Sequence, residues 1–438
     1  APDNTVVRYD ERSPESQTVA AKYQEFQATG DGAFAEEIRA LQESDYVNMD
    51  NLSRRDYQAS LANFQQNKLV IVDSVVGNAT RLGNPVGGKG AVEIGQGITF
   101  MDSKVIRLAL TAKATGAAPR YILWCSPENQ QKITELLSTL PERLAAMPLN
   151  EVTKQAVRDY LTKPENINLM MKAELKPVIA DATGELTTAQ LRNRGAAEMV
   201  PVMHQSGLVE KLGITRTDTV LFSNIDNDIN FFRVLAAAEK ARRQSGGFDV
   251  LQLHTLSPGS GGSVFWVKQG GRERMVPLEA IEAGGVEGAS LNTNTVLLTG
   301  EALDPAKYEE LNIPFEKKTY EKAYKDIPES AFRALGLDPA EARANPNKMV
   351  EYSVWLPKMS LSDIGKHPDV KTVALLGNPE HDFYTGSKDT EKLAATGAAE
   401  IARRLNQWRA LSEISLQEAI ALGISLDGEP EEFLKTCL

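Results

Sequence analysis

From Lys68 to Gln244 the chain repeats one pattern, a short apolar run followed by a helix-favouring stretch. The runs are "KLVIVDSVV", "RYILWCS" and "DTVLFSNID". The stretches are "FMDSKVIRLALTAKA", "PENQQKITELLSTL" and "NDINFFRVLAAAEKARRQ". Strand and helix in alternation build βαβ units, and these oblige neighbouring strands to run parallel. The expected class is therefore α/β, with a mixed, mainly parallel central sheet.

The flanks read differently. The first 66 residues are polar, and "AEEIRALQE" and "YQASLANFQQ" space their apolar residues three and four apart, which predicts a helical N-terminal segment. Residues 167–199 are too polar to be core throughout. After Gly246, alternation and glycine turns in "FDVLQLHTLSPGSGGSVFWVKQGGRERMVPLEAI" predict antiparallel strands. The residues from Asp389 onward read as helical. Three units follow, at 1–66, 67–330 and 331–438.

With 438 residues, 42% of them hydrophobic, the chain can bury a large core. Its formal net charge is −11, and no basic block interrupts that balance. A general nucleic-acid or acidic-membrane binder is excluded, and an anionic ligand would need a local positive site. Cys125 and Cys437 are the only cysteines, so neither a disulfide framework nor a cysteine metal site is expected. A reducing cytoplasm fits. No run of about 18 apolar residues is present to span a bilayer, and the start lacks a signal pattern. The absent initiator Met leaves earlier processing open. The histidines His204, His254, His367 and His381 have no metal-type spacing and read as structural or exposed.

The first apolar run leads into a loop carrying Gly77, Gly83, Gly87, Gly88 and Gly90, with Arg81 and Lys89. Glycine lets backbone N–H groups approach a phosphate closely, so this is an anion cradle. It is neither a GxxxxGK[ST] loop nor a GxGxxG one. "TRLGNPVGGKGAVEI" instead resembles the nucleotide loop of sugar nucleotidyltransferases. The resemblance continues in order through "GKGAVEIGQGITFMDSKVIRL", "SGLVEKLG", "SNIDN", "LNTNTVLL" and "HDFYTGSKDTEKL". It is closest to the UTP–glucose-1-phosphate uridylyltransferases and their UDP-N-acetylhexosamine pyrophosphorylase relatives.

That resemblance implies a Rossmann-like nucleotidyltransferase fold and an exchange of UTP and a sugar 1-phosphate, such as glucose 1-phosphate, for UDP-sugar and pyrophosphate, with Mg²⁺. By resemblance, Arg81 and Lys89 meet the triphosphate, with Gly77 and Gly83 in the loop, and Lys388 meets the transferred phosphate. Asp226 ends an apolar strand, where open α/β sheets place ligand-binding side chains, and is the expected Mg²⁺ carboxylate. Asp228 is expected as an N-terminal helix cap in preference to a second metal ligand. Asn224 lies in "SNIDN", the most specific match. Asn292 and Asn294, two apart, would share one face of a strand and address sugar hydroxyls. Gly261 and Gly262 resemble a sugar-side turn, and Gly195 occupies the place of a glycine packed near uracil.

The sequence departs from the family at Val76 and Ala79, where the family has glycines, and at "RNRGAAE", where Arg194, Ala196 and Ala197 replace small or sugar-facing groups. A catalytically inactive binder of a nucleotide sugar or a protein partner is the alternative these departures leave open, and a different nucleotide base is another. Too little chain follows Lys388 for the β-helix of the glucose branch, so oligomeric state does not transfer.

Overall fold

The computed structural model describes residues 14–29, 37–77, 79, 82–83, 85–171, 175–192, 195–256, 262–279, 282–378, 383–384 and 389–413. The chain starts with helix α1 (Pro14–Thr29), strands β1 (Glu37–Ala40) and β2 (Val47–Asn48), and α2 (Arg54–Gln65). β3 (Leu69–Val75) leads through the glycine loop to β4 (Glu93–Gly95), β5 (Ile98–Thr99) and α3 (Phe100–Thr115). Then come β6 (Arg120–Cys125), α4 (Pro127–Arg143), α5 (Glu151–Leu161) and β7 (Ile167–Met171). The hairpin β8 (Lys176–Ala180) and β9 (Leu186–Arg192) precedes α6 (Met199–Gln205) and α7 (Leu208–Leu212).

β10 (Thr219–Asn224) turns sharply into β11 (Asp228–Ile229) and α8 (Phe231–Ser245). β12 (Val250–Leu256), β13 (Ser263–Gln269), β14 (Arg272–Leu278) and β15 (Ser290–Leu298) follow, then α9 (Pro305–Glu310) and β16 (Phe315–Ala323). The last described elements are α10 (Phe332–Leu335), α11 (Pro339–Ala344), β17 (Met349–Pro357), β18 (Thr372–Leu376), β19 (Phe383–Tyr384) and α12 (Thr390–Glu413).

Eight strands form the central sheet in the order β2-β18-β12-β15-β10-β3-β6-β7. All neighbouring pairs are parallel except the two that β15 makes with β10 and β12. β3 shows why the sheet is buried on both faces. Leu69, Ile71 and Val75 join the core under α2, α3, α4 and α8, while Val70 and Val72 join the core on the opposite face with α6 and α7. A four-stranded antiparallel sheet, β16-β17-β8-β9, and a three-stranded one, β1-β13-β14, flank it.

Two readings of the sequence need correction. "AEEIRALQE" is not helical where it is described: Glu37–Ala40 pairs antiparallel with β13, and Arg39 lies 5.1 Å over the Trp266 ring while its Nε reaches Glu273 at 3.0 Å. Its partner is more than 200 residues away, so local spacing could not reveal the strand. The polar stretch from residue 167 supplies β7, β8 and β9. β7 alternates half-buried and buried residues as an edge strand with one face on the core. No helix among the described residues is long and apolar enough to cross a membrane.

His254, on β12, is fully buried beside Ser290, its Nδ1 3.0 Å from the hydroxyl, and burial pulls its pKa down to about 3. The unfolded chain takes up this proton near pH 6.5, whereas the folded one refuses it, so stability falls as pH drops below about 6.5, by up to about 1.4 kcal/mol per unit. Carboxylates held low, such as Asp228, act only below about pH 4. Urea unfolding between pH 6.5 and 4.5 should therefore show this slope, and His254→Gln should flatten it. An unchanged slope in the variant would place the titration elsewhere.

Candidate functional site

β3 continues to β6 on one side, while β10 lies on its other side, so the strand order reverses between β3 and β10. Ligands of open α/β sheets bind where the loops leave the carboxyl ends of such a pair. Here those loops are the glycine loop after Val75 and the turn at 225–227.

The glycine loop is fixed from beneath by α4. Asn129 donates to the Val75 carbonyl at 2.7 Å and to that of Gly77 at 3.4 Å. Gly88 has φ +61°, and a Cβ there would stand 2.5 Å from the Gly77 carbonyl, so only glycine lets the two passes of the loop touch. A Cβ on Gly77 or Gly83 would meet nothing within 4 Å. Both therefore border open space. Val76 packs against the core cluster of Val70 and Val72. Ala79 adopts φ +50°, a left-handed backbone that costs an L-residue with a side chain about 1–2 kcal/mol.

The turn after β10 is held by buried charge. Ser223 donates to Asp73 Oδ1 at 2.5 Å, and Lys104 Nζ lies 3.2 Å from the same oxygen. Burial pushes the Asp73 carboxyl up, with Lys104 and Ser223 opposing it. Lys104 also donates to the Asn227 carbonyl at 2.8 Å, and the Asn227 amide donates to Thr293 O at 2.9 Å. Asp226 is held at the crest of this turn. Its Oδ2 lies 2.6 Å from Lys89 Nζ, and its Oδ1 is buried without a hydrogen-bond partner. The loop and the turn thus meet through Lys89 and Asp226.

Asp228 does not cap α8. That task falls to Asn230, whose side chain accepts from Arg233 N at 3.2 Å. Asp228 is buried, taking Arg107 Nε at 2.6 Å, Arg107 Nη2 at 2.8 Å and Arg403 Nη2 at 3.1 Å. Burial alone would raise its pKa. The charges of Arg107, Arg404 and Arg403 more than offset that and hold it well below the carboxylate range. Arg403 and Arg404 come from α12, where Glu400 accepts from both and Gln407 accepts from Arg107 at 2.7 Å. Arg404 also reaches the Asp226 carbonyl at 3.4 Å, and β19 pairs with β11. Lys104, Arg107, Arg403 and Arg404 were not singled out from sequence. The signal was there for the first two, since cations at positions 104 and 107 of an otherwise apolar helix require buried anions.

The asparagine pair fares differently. β15 bulges between its pairings with Leu253 and His254, so that Thr293 and Asn294 oppose no residue of β12, and Asn294 sits at φ +59°. The alternation that would put Asn292 and Asn294 on one face is broken, and Asn292 Oδ1 is taken up by the Asn294 N–H at 2.8 Å. Asn224 ends β10, paired with Ser74. Gly195, at φ +92°, leaves no room for a Cβ, which would stand 2.6 Å from the Met359 carbonyl. Ala196 and Ala197 begin the short turn after it. Gly262 borders Glu279. Arg81, Lys388, Gly261, Arg194, His381 and Cys437 lie outside the described residues. Cys125 is buried, and burial pushes its thiol up to about 12, which suits a core residue and not a nucleophile. A cavity of about 700 Å³ between α3 and α5, lined by Ala109, Ala156 and Tyr160 among others, holds none of these site residues.

No family profile matches the chain, and no curated protein sequence is similar to it. Solved structures are. A UDP-glucose pyrophosphorylase variant from Leishmania major aligns with TM-score 0.57 at 18% identity, over 87% of this chain and 74% of its own. An Entamoeba histolytica protein described as a UDP-N-acetylglucosamine pyrophosphorylase aligns with TM-score 0.56 at 12% identity, over 84% and 88%. The chain has the UDP-sugar pyrophosphorylase fold. A Trypanosoma brucei UDP-glucose phosphorylase shares it too, with TM-score 0.51 at 14% identity over 89% and 78%. In this fold the reversal point between β3 and β10 is where the chain brings Lys89 to Asp226.

The Arg107–Asp228 pair is the buried tie of the turn, and removing one partner of such a pair typically costs about 3–5 kcal/mol. Arg107→Met should lose stability on that scale. Arg107→Met with Asp228→Leu should regain most of it, because no charge is then left unpaired. Urea unfolding of both variants reads the difference, and equal losses in the two would show that the pair does not govern the turn.

Proposed function

We propose that the chain is a Mg²⁺-dependent uridylyltransferase that joins UTP to a sugar 1-phosphate, glucose 1-phosphate or a related hexose 1-phosphate, releasing pyrophosphate. The convergence of Lys89 and the buried Asp226 beside a glycine loop carries this reading. Fold relatives from Leishmania major crystallised in complex with UDP-glucose support it.

In the reaction a phosphate oxygen of the sugar 1-phosphate bonds to the α-phosphorus of UTP as the bond to the β-phosphate's bridging oxygen breaks. Two anions must be held in line while charge spreads over the transferred group, so positioned positive charge is the main requirement. Lys89 supplies an ammonium at the loop, and Gly77 and Gly83 leave open space for the triphosphate. The bare Oδ1 of Asp226 suits a divalent cation. Among the described residues no cluster of three or more His, Cys, Asp or Glu could hold a metal by itself. One carboxylate completed by substrate phosphates is a common arrangement for Mg²⁺. When bound there, Mg²⁺ would draw charge from the phosphate oxygens. In this reading Arg81 joins Lys89 on the triphosphate and Lys388 faces the transferred phosphate. Asn224, Gly195, Asn292 and Asn294 address the nucleoside and sugar. The cytoplasm is the expected compartment.

Pyrophosphate release from UTP with a panel of sugar 1-phosphates tests this. Turnover should require Mg²⁺, and Asp226→Asn should lower it by about 10²- to 10³-fold while raising the Mg²⁺ requirement and leaving circular dichroism unchanged. No turnover with any sugar 1-phosphate at high enzyme concentration would sink the proposal. Stabilisation by UDP-sugar without pyrophosphate exchange would point instead to a binding protein.

A further inference from the structure

We infer that Lys89 keeps Asp226 closed to a free divalent cation, so that the site accepts a metal only as its complex with a nucleoside triphosphate. The inference rests on the proposed function and adds the form in which the metal enters.

Lys89 Nζ sits 2.6 Å from Asp226 Oδ2, a charge-assisted contact to a carboxylate almost wholly removed from water. The charges around the turn are nearly balanced without any ligand. Lys89, Lys104, Arg107, Arg403 and Arg404 oppose Asp73, Asp226, Asp228 and Glu400 through the contacts described above. A bare dication at Oδ1 would face the Lys89 ammonium on the same carboxylate, with Arg404 on the backbone carbonyl of the same residue. Like charges that close repel strongly where water is largely excluded.

A triphosphate changes the balance. It brings several negative charges along with the metal, and it gives Lys89 a new partner. Lys89 is free to make that exchange, because its backbone is fixed while its side chain is not. Gly88 and Gly90 pack tightly against Gly77, Asn129 and Ile133, whereas the Lys89 side chain is 27% exposed. The carboxylate thus passes from ammonium to metal as the ammonium passes from carboxylate to phosphate, and no charge is left buried alone.

The test measures metal binding without turnover. Full-length wild-type protein, Lys89→Met and Lys89→Arg are titrated with Mn²⁺ alone and with Mn²⁺ plus UTP, without sugar 1-phosphate, and free Mn²⁺ is read by electron paramagnetic resonance. Lys89→Met should bind Mn²⁺ alone at least about tenfold more tightly than wild type, because the competing charge is gone. Lys89→Arg, which keeps the charge, should remain weak. With UTP present the order reverses, wild type exceeding Lys89→Met. Lys89→Gln, neutral but able to donate to Oδ2, serves if the Met variant does not fold. Equal or weaker Mn²⁺ affinity in a folded neutral variant overturns the inference. If wild type instead fails to bind Mn²⁺ with UTP at all, the proposed function itself falls, whatever the ratio for metal alone.

Discussion

The bidentate contact between Arg107 and Asp228 is the constraint on which the candidate site depends. Two charges removed from water cost several kcal/mol each, and only good geometry with further hydrogen bonds offsets that. Here Arg107 is a fork on a fork, and Gln407 and Arg403 take up remaining valences. The pair joins α3 to the short strand that follows the turn. With Asp228 fixed, the preceding residues of the turn have little freedom, and Asp226 is left facing Lys89 with one oxygen unpaired.

The same cluster explains why the end of the chain matters to the middle of it. Glu400, Arg403, Arg404 and Gln407 recur at helical spacing, so one face of α12 meets the turn after β10. Lys113 on α3 holds the far end of that helix through the Ser412 carbonyl at 2.9 Å. Gly397 allows the helix to lie against β4, where a Cβ would stand 2.9 Å from the Ile94 carbonyl. α12 is therefore a strap across α3, and the chain before it pairs with β11.

Much of this was legible in the sequence because it is local. The alternation of apolar runs and helical stretches located β3, β6, β10 and their helices, and the end of an apolar strand located Asp226. Lys89 was legible as a cation among glycines. What stayed hidden depends on distant partners. Asp228 looks like a helix cap until Arg107, 121 residues earlier, and Arg403, 175 residues later, are brought to it. The bulge that separates Asn292 from Asn294 arises from the register of β12 against β15, which no spacing in "LNTNTVLL" reports. β1 and β2 are too short to show a period, and each exists because a strand more than 200 residues away offers it an edge. Ala79 was visible as a departure from glycine, but its left-handed backbone was not.

The central claim is that the open oxygen of Asp226 is where metal and nucleotide meet. A crystal of the full chain grown with Mn²⁺ and UTP tests it most directly, through the anomalous scattering of the metal. The account places the anomalous peak within about 2.0–2.4 Å of Asp226 Oδ1, bridging to triphosphate oxygens, with Lys89 moved from the carboxylate to a phosphate. A nucleotide-bound metal held by other residues, with the Lys89–Asp226 contact intact, would contradict it.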